Sequence, residues 1–270
     1  MKKKFLPLML LACLAGPANA QSGMSPTATS TIYDFAGFNE VTLLNLFDKA
    51  LQKGRNYPTK EEFAAAGIQA SDIAFVRSHV KQRAILDRKD RLVKDTYEKR
   101  NLFMNIPSGS GKGIGGYPSS NFANDVFSMW NYTNLFGSWN HGLFQAPGAW
   151  TDAAHKNGTD IMSGIKFFEG WTAGSHDTEY VQFLSTKDAS GNYKYVKPML
   201  NCLLFFGFDG INYNWEDNSY SNSDVTAFHK ALYKEAKKMG FNNFHAALYT
   251  QGSSLSDAAV DYLYGTTATG

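Results

Sequence analysis

Residues 195–216 read YVKPMLNCLLFFGFDGINYNWE. The stretch from Tyr195 to Phe206 reads as a helix, with Pro198 confined to its first turn, where a missing N–H costs nothing. The run Phe208–Trp215 reads as a strand. Asp224 then caps a second helix carrying Val225, Phe228, Ala231, Leu232 and Ala236, stopped by Gly240. Outward from this unit the same rhythm repeats. Further strands are expected at Leu102–Ile106, Tyr132–Trp139, Asp160–Phe168 and Phe244–Tyr249, with a helix from Pro147 to His155 closed by Asn157 and Gly158. A sixth strand is expected at Val260–Tyr264. Repeated β-then-α at this spacing implies a parallel sheet with covering helices. A doubly wound sheet and a (β/α) barrel both fit, and there is no internal sequence repeat.

The region before Asn101 differs. Val41, Leu43, Leu44, Leu46, Phe47, Ala50 and Leu51 recur at helical spacing up to Gly54. Thr59 and Glu62 form a capping box that opens a short helix closed by Gly67. Ser71 is expected to cap a longer, charged helix running to about Arg100. Residues 34–100 thus read as a helical N-terminal region carrying no chemistry, and 101–270 as an α/β domain.

The chain opens with Lys2, Lys3 and Lys4, a short apolar stretch from Phe5 to Gly16, and Ala18-Asn19-Ala20 before Gln21. This is the pattern of a cleavable signal peptide over 1–20, too short to span a membrane, so a secreted or periplasmic protein is expected. A lipid anchor at Cys13 is the lesser alternative, because Leu10-Leu11-Ala12 is a poor lipoprotein box. Residues 21–33 read as a flexible leader. Of 270 residues, 26 are Lys or Arg and 24 are Asp or Glu. The signal peptide takes three lysines with it and leaves a near-neutral chain, which argues against nucleic-acid or polybasic membrane binding. Cys202, in the run Leu203 to Phe206, reads as buried packing.

The strand over 208–215 carries the chemistry. Alternate residues share a face, so Asn212, Asn214 and Glu216 fall on one row and Ile211, Tyr213 and Trp215 on the other. The apolar row suits a helix layer. A polar row turned inward is costly unless it serves a site or a hydrogen-bond network. Glu216 falls at the carboxyl end, where barrel enzymes place catalytic groups. Trp130, Trp139, Trp150, Trp171 and Trp215 lie at or near expected strand and loop ends, as do Tyr132, Phe168 and Tyr249. Aromatic faces beside amides and an acid suggest a carbohydrate.

These residues resemble those of family 85 glycoside hydrolases, the endo-β-N-acetylglucosaminidases. The run 130–141, WNYTNLFGSWNH, resembles that family's second strand, and 146–158, APGAWTDAAHKNG, the helix after it. Gly164 to Trp171 is similar to the third strand with its Glu-Trp end. Phe208-Asp209-Gly210, followed by Asn214 and Glu216, is similar to the catalytic strand. Gly115-Gly116-Tyr117 resembles an upstream signature. The likeness spans about residues 101–250 and implies a TIM-type (β/α) barrel that cleaves the GlcNAc-β-1,4-GlcNAc core of N-linked glycans. It implies that Glu216 is the general acid/base and that Asn214 polarises the substrate's 2-acetamido group. The acetamide oxygen is then the nucleophile, through an oxazoline intermediate with retention. Tyr249 matches a tyrosine that bonds the acetamide. Trp139, His141, Glu169 and Trp171 sit where the family lines its cleft, with Asn212 on the same row as Asn214. No cofactor or metal is implied.

Two other readings stand beside this one. A family 18 chitinase-like hydrolase has Asp-x-x-Asp-x-Asp-x-Glu, matched here by Asp209, Asn212, Asn214 and Glu216 with Asn at both middle places. A secreted glycan-binding protein without turnover would not need Glu216. Asp209 reads first as a structural turn residue. Ser108-Gly-Ser-Gly-Lys-Gly113 lacks phosphate-loop spacing and reads as a loop, and the six histidines show no metal-ligand pairing. The span 101–270 is shorter than the roughly 250 residues of a full barrel. An incomplete barrel of five to six strands is therefore expected, and a poorly soluble or inactive one if it stands alone, because of its open edges.

Overall fold

Among the residues that the computed structural model describes, which are 38–78, 80, 103–106, 129–130, 133–138, 148–165, 185–215 and 222–250, three helices precede the first strand. They are α1 (Glu40–Gln52), α2 (Lys60–Ala65) and α3 (Ala70–Val76). Then come β1 (Phe103–Ile106), β2 (Leu135–Ser138), α4 (Gly148–Lys156), β3 (Asp160–Ile165), α5 (Val196–Phe206), β4 (Gly210–Trp215), α6 (Asn222–Lys238) and β5 (His245–Thr250). All five strands are parallel and stand in the order β1-β2-β3-β4-β5. A doubly wound sheet reverses its strand order at a switch point, whereas a barrel adds strands in sequence around one axis. The order is therefore that of a (β/α) barrel, with five strands among the described residues. The expected sixth strand at Val260–Tyr264 lies outside them.

The caps follow the sequence. Asn39 accepts from the Thr42 N–H at 2.8 Å at the start of α1. Thr59 and Glu62 form the expected reciprocal box on α2, at 3.3 and 2.9 Å. The third helix is a correction. It starts at Ala70 behind Gln69, which makes no side-chain cap, so Ser71 lies inside the helix. It ends at Val76, and residues 81–100, over which the longer helix was expected, lie outside the described residues. Arg77 turns to an extended conformation (φ −72°, ψ 125°) and the Ser78 N–H donates to the Phe206 carbonyl at 2.9 Å. That carbonyl is among the acceptors that the end of α5 leaves unpaired, so a tertiary bond takes the chain out of its helix. Strand ends also differ. Thr133 donates from its N–H to Trp130 at 3.1 Å and from its hydroxyl to Met129 at 2.9 Å, and these turn bonds delay β2 until Leu135.

Two glycines shape the α5–β4 passage. Gly207 takes φ 93°, and both its N–H and that of Phe208 donate to the Leu203 carbonyl, at 2.8 and 2.9 Å. A side chain here would cost roughly 1–2 kcal/mol. At Gly210 a Cβ would collide with the His245 backbone on β5, so the close approach of β4 and β5 needs a glycine there.

The core lies between sheet and helices. Phe136, Ile161 and Ile211 of the strands are fully buried with Met199, Leu200, Cys202, Leu203 and Phe206 of α5 and Phe228 and Leu232 of α6. Leu43, Leu44 and Phe47 of α1 join the same cluster. Polar contacts add to the α1–α5 seam, where the Tyr195 hydroxyl donates to Asn45 at 2.9 Å and Lys194 pairs with Asp48 at 3.2 Å. Phe47 meets Phe63 and Phe205 edge-on, with centroids 6.1 and 5.7 Å apart. Trp130 and Trp150 also belong here: each packs on Phe136, at 4.9 and 5.6 Å. These two tryptophans serve the helix-side core, as most single tryptophans do, and so leave the aromatic group on which the carbohydrate expectation rested. Phe47→Ala is expected to lower unfolding free energy by about 3–5 kcal/mol, read from urea denaturation followed by circular dichroism.

Candidate active site

The polar row of β4 starts from buried positions. Ile211 is fully buried in the helix-side cluster, and Asn212, the next residue of the strand and so on the opposite face, is buried as well. Asn212 is paired in register with Gly164 on β3 and Ala247 on β5. Both neighbours are small, so neither fills the space beside the amide. Two residues further along the same row, Asn214 is paired with Tyr249 of β5. Neighbouring strands run about 4.8 Å apart, and alternate positions of one strand about 6.5–7 Å apart. The backbone therefore brings these two expected site residues to adjacent positions near the carboxyl end of the sheet. Glu216 follows the last residue of β4 by one position in the sequence and lies outside the described residues. Trp139, His141, Glu169 and Trp171 also lie outside them, as does the loop 108–113.

The opposite, amino end of the strands holds a cluster that sequence spacing did not reveal. Asp209 Oδ2 accepts from the Ile161 N–H at 2.8 Å and lies 2.9 Å from His155 Nε2. The Asp209 N–H donates to the Ile161 carbonyl at 2.8 Å, and its carbonyl accepts from the His245 N–H at 2.9 Å. One residue thus ties β3, β5 and α4 together. His155 Nδ1 lies 3.2 Å from the Val80 carbonyl. A carbonyl only accepts, so Nδ1 donates to Val80; where Asp209 is ionised its carboxylate also only accepts, Nε2 donates as well, and His155 is then an imidazolium. Across Gly210, His245 Nε2 pairs with Asp160 Oδ2 at 2.7 Å. Asp209 has its place as a structural residue, and His155 is its partner 54 positions away, a separation no local motif encodes.

Burial works against charge on His155, but the bond to Asp209 and its charge more than offset this, and the imidazole stands above its ordinary value. Burial pushes the Asp209 carboxyl up to about 6, held from rising further by His155 and by the Ile161 N–H. Cys202, wholly buried, has a thiol raised well above its usual range and is packing, as expected. A cavity of about 420 Å³ opens beside this cluster, lined by Arg77, Ser78, His155, Phe205, Phe208 and Asp209. It lies at the amino end, away from the Asn214–Tyr249 pair, where a barrel's buried polar groups serve stability. No cluster of metal-ligating side chains occurs among the described residues, and none of their helices is long and apolar enough to cross a membrane.

Comparison with known proteins bears on the same strands. The sequence model of glycosyl hydrolase family 85 matches residues 112–261, more than half of the chain. The chain belongs to that family. Among solved structures, it is similar to the glycoside hydrolase domain of Endo-D from Streptococcus pneumoniae R6, with 18% identity and a TM-score of 0.48 over 66% of this chain. The chain spans 28% of the length of that Endo-D structure. It is also similar to a putative alpha amylase from Salmonella typhimurium, with 13% identity and a TM-score of 0.34 over 66% of this chain and 38% of that one. A comparison with curated proteins finds no match.

The pH dependence of the buried pair follows from its two shifts. Both groups bind protons more tightly folded than unfolded. The His155 contribution is therefore complete below the imidazole's ordinary value and is lost as pH rises through its raised one. Asp209 acts in the same direction between the usual carboxylate range and about 6. The stability advantage of the natural chain over an Asp209→Asn/His155→Gln double variant is expected to shrink from about pH 5 to about pH 8. Urea midpoints of the two proteins across that range measure it.

Proposed function

We propose that this chain carries the acid/base strand of an endo-β-N-acetylglucosaminidase, cleaving the GlcNAc-β-1,4-GlcNAc core of N-linked glycans on glycoproteins outside the cell. Family membership supports this. The observation that carries it is the register of Asn214 with Tyr249 on one row of the barrel, two positions before Glu216. In this reading Glu216 protonates the departing glycosidic oxygen. Asn214 and Tyr249 hold the 2-acetamido group so that its oxygen attacks the anomeric carbon. Glu216 then takes a proton from the water that opens the oxazoline, and the configuration is retained. One enzyme carboxylate suffices because the nucleophile belongs to the substrate. Asn212, Trp139, His141, Glu169 and Trp171 would line the sugar cleft.

The test is a high-mannose glycopeptide digested with the protein, analysed by mass spectrometry. The expected product keeps one GlcNAc on the peptide. Glu216→Gln is expected to lower kcat by about 10²–10⁴-fold, with binding retained. A protein that binds the glycopeptide without cleaving it, and equally well as Glu216→Gln, would be a lectin and would sink the reading.

A further inference from the structure

The parts of the molecule that the proposed chemistry leaves unused meet at the amino end of β4. A buried, charged Asp–His pair is costly to desolvate, and for stability alone an apolar pair would serve as well or better. What Asp209 and His155 supply instead is position. The Asp209 carboxylate binds the Ile161 N–H of β3 and the His155 ring of α4, while its main chain bonds β3 and β5. Gly210 next to it lets β5 close on β4 and lets His245 reach Asp160 on β3. The strand that bears Asn212 and Asn214 is thus fastened to both neighbours at its base. A slip by one residue would turn the amide row to the helix side and part Asn214 from Tyr249.

We infer that Asp209 and His155 are positioning residues, a clamp at the floor of the barrel that sets the height of β4 and so aligns Asn214 with Tyr249 at the other end. They touch no substrate and act through the strand. The inference rests on the proposed function for its catalytic consequence, but not for its structural one.

Asp209→Ala removes the clamp, and Asp209→Asn keeps an acceptor for both the Ile161 N–H and His155. Phe63→Ala on α2 is a control that truncates the core away from the strand bases. Backbone hydrogen exchange is measured on all three variants and the natural chain, with unfolding midpoints recorded alongside. Exchange over 211–215 and 246–250 is expected to rise roughly tenfold in Asp209→Ala beyond the Phe63→Ala control and to return toward the natural level in Asp209→Asn. On the glycopeptide, Asp209→Ala is expected to lose on the order of 100-fold in kcat with KM little changed, and Asp209→Asn to recover most of it. If Asp209→Ala does not fold, His155→Ala takes its place, since it frees the helix side of the clamp and leaves the Asp209–Ile161 bond. Exchange no greater than in the control, or no rescue by Asn, overturns the clamp. Absence of glycopeptide cleavage by the natural chain would overturn the proposed activity alone, because the exchange comparison needs no turnover.

Discussion

A strand with a parallel neighbour on each side has no freedom except register, and register decides which of its two rows meets the helices. In this protein β4 is that strand. Its ladder runs from Gly210 to Tyr213 against β3 and from Gly210 to Trp215 against β5, and at its base one carboxylate joins both the ladder and a covering helix. Ile211 can be fully buried against α5 and α6 only if Asn212 and Asn214 fall on the other row. The apolar side and the polar side are thus the same constraint seen from opposite faces.

The two kinds of interaction divide the work. Burial of Phe206, Met199, Leu200, Phe228 and their neighbours contributes the bulk of the driving force, at about 1.5–3 kcal/mol for each large side chain. Such contacts tolerate small shifts. Hydrogen bonds to a buried carboxylate do not, since leaving one unmade costs more than making it gains. The buried Asp209–His155 pair at the strand bases is therefore a poor source of net stability and a good source of uniqueness.

The β-then-α rhythm, the caps at Thr59 and Glu62, the buried place of Cys202 and the two rows of β4 were all legible in the sequence, because each follows from local periodicity or turn chemistry. The rhythm alone did not choose between a barrel and a doubly wound sheet, because strand order is a property of the sheet; the resemblance to family 85 implied the barrel, and the strand order bears it out. The helix past Ser71 was misread because its end is set by a bond from Ser78 to Phe206, more than a hundred residues on. Trp130 and Trp150 could be placed only by packing, because an aromatic ring is equally at home on a sugar and on Phe136. For the site, the spacing of Asn214 from Glu216 was visible along the chain. The pairing of Asn214 with Tyr249 came to light only through the ladder, and the His155–Asp209 pair only through α4 lying across β3.

A parallel ladder suits the proposed chemistry for a geometric reason. Successive positions on one row of a strand stand about 6.5–7 Å apart, and the next strand offers a further position about 4.8 Å to the side. Those separations are those of a sugar ring, whose acetamide and glycosidic oxygen must be held at the same time. A loop could present the same residues, but each would have its own freedom and the bound geometry would have to be fixed anew in every encounter. On one strand and its neighbour the spacing is set by the backbone itself, and a fastening at the far end of the strand is enough to keep it.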